Sequence, residues 1–190
     1  MASIDDDPIE LVPSKYDSWR NQFVAERNRI LSTLATSGLE PAVHRIEHVG
    51  STAVPDLAAK DIVDLDIVVA DGSVRDVSQV LEATLGGGRV ENSEYWHPVF
   101  RRQDGQRFND HVVGASSDTW KISVVTRDVL CARPDLCTEY EQLKRDLAAE
   151  HDDITAYSEG KSAFIDRILD VARTDDTIQF EFSLPDSKPE

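Results

Sequence analysis

The chain has 190 residues, 36 of them acidic and 20 basic, and so carries a formal net charge of −16. That length suffices for one domain with a sizeable core. A 40% hydrophobic content with three Trp, four Tyr and six Phe excludes a disordered acidic tail. The charge argues against general nucleic-acid binding, because no net positive field collects phosphates, and no apolar run reaches the roughly 18 residues of a membrane span.

The start MASIDDDP is too acidic for a signal peptide, so a soluble cytoplasmic protein is expected. Cys131 and Cys137 are the only cysteines, too few for a disulfide framework or a thiolate zinc site. Asp outnumbers Glu by 23 to 13, and Arg outnumbers Lys by 14 to six. Short carboxylates in excess with few lysines point to a halophilic surface, with an ordinary acidic cytosolic protein as the blander alternative. Molar salt shortens the Debye length to about 3 Å and screens its self-repulsion.

Glu10-Leu11-Val12-Pro13 reads as extended. Trp19, Phe23, Ile30, Leu31 and Leu34 then follow a helical period that ends near Ser37-Gly38. Residues 42–49 (AVHRIEHV) are extended and run into Gly50-Ser51. Residues 62–70 (IVDLDIVVA) are β-branched and apolar except for two aspartates. A helix is predicted over 73–85, closed by Gly86-Gly87-Gly88. Strands over 97–103 and 107–113 flank Asp104-Gly105, a hairpin turn signal. Helices fill 118–173: one ends before Pro134, a second spans roughly 135–150 and a third roughly 153–173. Thr177 to Phe182 alternates and reads as an edge strand before a loose tail. The expected fold is α+β, a mixed sheet flanked by helices with a helical C-terminal half. It forms one domain over 1–175, with a sheet-rich core at about 8–115 and a helical subdomain at about 116–175.

Asp64 and Asp66 carry the chemistry. Two apart on a strand, their carboxylates share a face a few ångströms from each other, which is costly unless a cation sits between them. Mg²⁺ or Mn²⁺ answers that need and leaves positions open for substrate phosphates. The blander reading is an ion pair with Arg45 or Lys60. At Gly50-Ser51 a glycine lets the backbone approach a phosphate, while N–H groups and the Ser hydroxyl donate to it; a turn with an N-cap is the plain alternative. Lys60 either neutralises phosphate or offsets Asp61 and Asp64. His48 is a core histidine or a substrate contact. Lys144 and Lys161 are expected to pair with acids on helix surfaces, and Arg127 with Asp128. Trp19, Trp96 and Trp120 read most simply as core or edge aromatics, and the alternative for Trp96 beside His97 is a stacking wall for a base.

A strand-borne Gly-Ser followed at this spacing by Asp-x-Asp resembles the polymerase-β-like nucleotidyltransferase superfamily. The string IEHVGSTAVPDLAAKDIVDLDIVV is closer still to its GrpB (UPF0157) branch. Further matches follow in the family's order: the 109–113 strand (NDHVV), Trp120 with Arg127-Asp128, the YEQLKR helix at 140–145, and Tyr157 with GKSAFI at 160–165. The resemblance covers roughly residues 8 to 173. It implies a metal-dependent nucleotidyltransferase that moves a nucleoside monophosphate from an NTP to a small acceptor. In it Asp64 and Asp66 hold the metal, and Gly50, Ser51 and Lys60 bind the nucleotide. The alternative is a degenerate nucleotide-binding module, with a link to coenzyme A metabolism through domains fused to some dephospho-CoA kinases. Asp56 and Asp61 depart from the family's Gly and Pro and crowd negative charge near the site. The superfamily's third carboxylate falls on the 107–113 strand, where His111 and Asp110 face opposite ways. If Asp110 faces Asp64 the carboxylate set is whole; His111 is taken as the residue that does, and as catalytic.

Overall fold

The computed structural model describes residues 9–185, so the acidic leader and the last five residues of the expected tail lie outside the described residues. Helix α1 (Tyr16–Thr36) buries Trp19, Ile30 and Leu34 on one face, as its period predicts. Strands β1 (Val43–Val49) and β2 (Ile62–Val69) come next, then α2 (Val74–Leu85). Strands β3 (Gly88–Arg89), β4 (Trp96–Gln103) and β5 (Gln106–Gly114) complete a mixed five-stranded sheet in the order β1-β2-β5-β4-β3. Only β2 and β5 are parallel; every other neighbouring pair is antiparallel. The β4–β5 hairpin turns at Asp104-Gly105, both at positive φ (49° and 85°), as a tight two-residue turn requires. The short strand β3 has no counterpart in the predicted elements. Gly87 sits at φ +106°, and a Cβ there would lie 2.5 Å from the Phe100 carbonyl oxygen. The triple glycine therefore ends α2 and also lets the chain close onto β4.

The helical half comprises α3 (Thr119–Ala132), α4 (Pro134–Glu150), α5 (Ile154–Glu159) and α6 (Ser162–Thr174). The single helix expected over 153–173 is thus two, broken at Gly160-Lys161. Asp153 caps α5 by accepting from the Thr155 and Ala156 amides, and Gly160 packs so tightly on Leu147 that a Cβ would collide with it. No edge strand forms over Thr177 to Phe182. Ile178, Phe180, Phe182 and Leu184 pack instead on the helical cluster around Leu130, Phe164 and Ile168, with Phe182 edge-on to Trp120 at 4.8 Å. The alternation marked residues that bury against helices rather than a strand pairing partner.

The sheet separates two apolar layers. On one face Val63, Leu65, Ile67 and Val112 pack with α1 and α2; on the other Val49, Val68 and Val113 meet Trp120 and Val124 of α3. A buried ion network lies in the first layer. Arg101 Nε donates to Asp110 Oδ2 at 2.6 Å, its guanidinium also pairs with Glu26, and Arg29 reaches Glu26 from the rim. Asp110 therefore points away from Asp64, to the face opposite the candidate site.

Removing one partner of such a network leaves buried charge uncompensated. Arg101→Leu should lower the unfolding free energy by about 3–5 kcal/mol at neutral pH, measured by urea unfolding. The loss should shrink as the pH falls, because the orphaned Glu26 and Asp110 take up protons, a shift that burial already favours at Asp110. An unchanged stability would show that the network contributes nothing.

Candidate functional site

Strand β2 places Asp64 and Asp66 on the face that looks toward α3 and the C-terminal helices. Its neighbours fix what surrounds them: Val49 and Glu47 of β1 stand opposite Asp64 and Asp66, and Asn109 and His111 of β5 stand opposite them on the other side. Asn109 Nδ2 donates to Asp64 Oδ1 at 2.7 Å, and His111 Nε2 lies 3.8 Å from the same oxygen. The Trp96 indole N–H donates to His111 Nδ1 at 3.3 Å, which leaves the ring proton on the nitrogen facing Asp64. Burial works against a charged His111 ring, but hydrogen bonding to Asp64 and the nearby charge of Asp66 outweigh it and raise the pKa. Burial pushes Asp66 up to about 7, against the pull of His111 and Ser123. Asp66 Oδ2 is buried with no hydrogen-bond partner.

Gly50 follows β1 and precedes a single 3₁₀ turn at Ser51–Ala53. Its φ of +70° with ψ −173° is a conformation essentially reserved for glycine. A Cβ would lie 2.5 Å from Asp64 Oδ2, so the missing side chain is where the carboxylate rests. Ser51 makes no helix cap; its Oγ accepts from Lys144 Nζ at 3.0 Å.

These residues line one cavity of about 330 Å³. The same lining includes Lys60, Lys144 and Lys161, half of the six lysines in the sequence, with Tyr140 and Tyr157. Lys144 is 2% exposed and also donates to the Ala58 carbonyl. Lys161 and Lys60 sit over the Tyr157 ring, 4.4 and 5.6 Å from its centroid, and Lys144 lies 5.1 Å from that of Tyr140. Lys15 and Lys121 pair with Asp61 and Asp118 at 2.7 and 2.8 Å. None of the three cavity lysines has such an ion pair among the described residues. Burial lowers Lys144 to about 7 and, with Lys60 nearby, Lys161 to about 8; it lowers Lys60 too, although Asp64 pulls the other way.

The structure thus gathers Gly50, Ser51, Lys60, Asp64, Asp66 and His111 around one cavity and adds Asn109, Tyr140, Lys144, Tyr157 and Lys161. The helix-surface pairing expected for Lys144 and Lys161 is not what forms. Lys144 of α4 and Lys161, in the turn between α5 and α6, both line the cavity instead. The scarcity of lysine was the signal: a rare residue in two helices close to the phosphate-type motif. Arg45 pairs with Glu47, not with the aspartates, and Arg127 bridges Asp128 and Glu47. The Trp96–His97 wall does not exist, because adjacent strand residues face opposite ways; His97 bonds Ser78 in the other layer. His48 is packed, stacked on Phe23 at 4.9 Å, with burial lowering its pKa to about 4. Neither acidic departure adds charge to the cavity lining. Asp61 binds Lys15 and the Trp19 indole N–H. Asp56 is at φ +59°, the conformation that a glycine adopts freely and Asp tolerates.

A cation fits here on the protein side. Asp66 Oδ2 is an orphaned buried acceptor, and its neighbour on the same face is a second carboxylate. Among the described residues no group of three or more His, Cys, Asp or Glu is placed to hold an ion. The donor set is two carboxylates, which suits Mg²⁺, an ion that keeps water ligands and takes phosphate oxygens.

The family model described as GrpB protein matches residues 8–171. The chain belongs to the GrpB family. A UPF0157 protein of Deinococcus radiodurans is 32% identical over 164 residues, 85% of this chain and 81% of that protein. The crystal structure of conserved protein GrpB from Enterococcus faecalis superimposes with a TM-score of 0.67 at 25% identity, covering 84% of this chain and 94% of that one. A dephospho-CoA kinase of Mycolicibacterium paratuberculosis is 28% identical over 183 residues, 79% of this chain but 42% of the kinase. No helix among the described residues is long and apolar enough to cross a membrane.

Contact between Gly50 and Asp64 predicts an energetic coupling. Gly50→Ala should destabilise the protein by about 1–3 kcal/mol through backbone strain, with a further loss from the collision. Adding Asp64→Ala should recover part of that loss, read as a non-additive double-mutant cycle in chemical unfolding. Additive losses would show that the carboxylate does not rest there.

Proposed function

We propose that this GrpB-family chain binds a nucleoside triphosphate with Mg²⁺ and transfers the nucleoside monophosphate to a small acceptor hydroxyl. The observation that carries this reading is that both signs of charge line one cavity without pairing. Two carboxylates, one with an orphaned oxygen, and three lysines without ion pairs among the described residues line it together. In a protein with 36 acidic side chains, leaving one buried and two half-buried lysines without ion pairs is a cost that a polyanionic ligand would offset.

The protein groups would act as follows. Asp64 and Asp66 hold the metal, with Asn109 fixing the Asp64 carboxylate and His111 filling the space beside both. Gly50 keeps that space open, and Ser51 with Lys144, Lys60 and Lys161 seats the β- and γ-phosphates. Mg²⁺, when bound, would neutralise charge that develops on the transferred phosphoryl group. Acceptor–OH and NTP give acceptor–O–NMP and pyrophosphate. The lysines stabilise the departing pyrophosphate, and positioning does most of the work.

A second reading is favoured by β5, which presents Asn109 and His111 where a third carboxylate would complete the metal site. On that reading the chain binds a nucleotide without turning it over. The dephospho-CoA kinase relative makes an adenine nucleotide of the coenzyme A type the partner to try. The chain has no G-x-x-x-x-G-K-[ST] loop of its own, so it would recognise such a ligand rather than phosphorylate it.

Thermal unfolding in about 1 M KCl, which screens the acidic surface, tests the first reading with ATP, GTP, CTP, UTP and dephospho-CoA, each with Mg²⁺ or EDTA. A nucleotide at 100 times its Kd should add about 2.7 kcal/mol, and only with Mg²⁺. Asp64→Asn/Asp66→Asn should abolish the metal dependence. Lys161→Met should weaken binding roughly 10- to 100-fold, the worth of one charge-assisted hydrogen bond. Affinity should fall as the pH rises from 6 to 9, because Lys144 and Lys161 lose their protons near 7 and 8 and only their charged forms pair with phosphate. Pyrophosphate release with any acceptor separates transferase from binding module. A nucleotide shift that ignores metal, aspartates and lysine contradicts both.

A further inference from the structure

A second chamber, of about 190 Å³, opens off the first and shares with it Gly50, Ser51, Ser123 and Tyr140. Beyond this common wall it is lined by Ile122 and Leu130 of α3 and Ile165 of α6. Its chemistry is the reverse of its neighbour's. The first cavity holds the three unpaired lysines and two carboxylates. In the second the one ionised side chain is Arg127, already bound to Glu47, Asp128 and the His48 carbonyl. No charge there is left to receive a phosphate or carboxylate.

Four hydroxyls line the chamber, those of Ser51, Ser123, Thr126 and Tyr140, and the two on α3 have their protons engaged. Ser123 Oγ donates to the Thr119 carbonyl at 3.2 Å and Thr126 Oγ1 to that of Ile122 at 2.8 Å. These two oxygens can therefore only accept, so a ligand that pairs with Ser123 or Thr126 must bring the donor. The volume sets the size, since an apolar cavity of about 150 Å³ takes a benzene ring. Ser123 and Asp66 line the first cavity together, so the chamber begins beside the aspartate pair.

We propose that this chamber is a binding subsite for an uncharged ring of about six to nine atoms that carries O–H or N–H donors. It deepens the transfer reading, on which it rests for the phosphates next door. Two sources share this chemistry, the nucleobase of the triphosphate and the ring of a separate acceptor alcohol.

Ligand-observed saturation-transfer NMR on the full chain tests it with phenol and adenosine. Anisole serves as the ring without a donor, and benzoate and phenyl phosphate as the anionic rings. The experiment is run first without nucleotide, so that it does not depend on triphosphate binding. Phenol or adenosine should bind ahead of anisole and both anions. Thr126→Val should weaken that binding about three- to tenfold, the worth of a neutral hydrogen bond. Ile165→Trp, which fills the chamber, should abolish it while the circular dichroism spectrum stays native. With ATP and Mg²⁺ shown to bind by thermal shift, displacement of phenol assigns the chamber to the base, and its persistence assigns it to an acceptor. Binding of anisole or benzoate as strong as that of phenol, no signal from either donor ring, or a signal that survives Ile165→Trp overturns the proposal. If the rings bind and no nucleotide does, the subsite stands and the transferase reading falls.

Discussion

The carboxyl of Asp66 is the constraint around which the site is arranged. It is carried into the protein by a strand whose other residues are nearly all apolar, and one of its oxygens meets no donor. A buried carboxylate in that position either takes up a proton or waits for a cation, and the rise of its pKa to about 7 expresses that tension. What lies around it reduces the problem without solving it. Asn109 donates to Asp64, His111 lies beside both aspartates, and Gly50 leaves the space into which Asp64 leans. The three lysines line the same cavity without forming an ion pair with the acids among the described residues, so the opposite charges are left for something to come between them.

That arrangement depends on which way β5 faces, and the opposite side of the sheet determines it. A one-residue slip of β5 would turn Asp110 toward Asp64 and bury His111 among the α1 and α2 side chains. The Glu26–Arg101–Asp110 network opposes the slip, because Arg101 has its acids only in the observed register. The buried ions of one layer thus specify the uncharged neighbours, Asn109 and His111, that the other layer presents to the aspartates.

Much of the fold was legible in the sequence, for physical reasons that also mark where legibility ended. The period of α1, the β-branched run of β2 and the Asp104-Gly105 turn each state a local preference that the tertiary structure keeps. The 153–173 helix and the 177–182 strand failed because tertiary packing overrode local pattern: Gly160 yields to Leu147, and the alternating aromatics find helices. In the site, the aspartate pair and Gly50-Ser51 could be read from a single strand and its approach. Asn109 could not, since only the β2–β5 register shows that it, and not Asp110, stands beside Asp64. Nor could the inward aim of Lys144 and Lys161, which depends on how α4, α5 and α6 close over the sheet.

The account reduces to one spatial claim, that cation and polyphosphate meet between the aspartates and the lysines. Anomalous diffraction at the manganese edge locates both in a single experiment, using crystals grown with Mn²⁺ and an ATP analogue that cannot be cleaved between the α- and β-phosphates. The account predicts a manganese peak within bonding distance of Asp64 and Asp66, bridged to a triphosphate whose far end lies against Lys144 and Lys161. A triphosphate bound elsewhere, or one seated there with no metal at the aspartates, would contradict it.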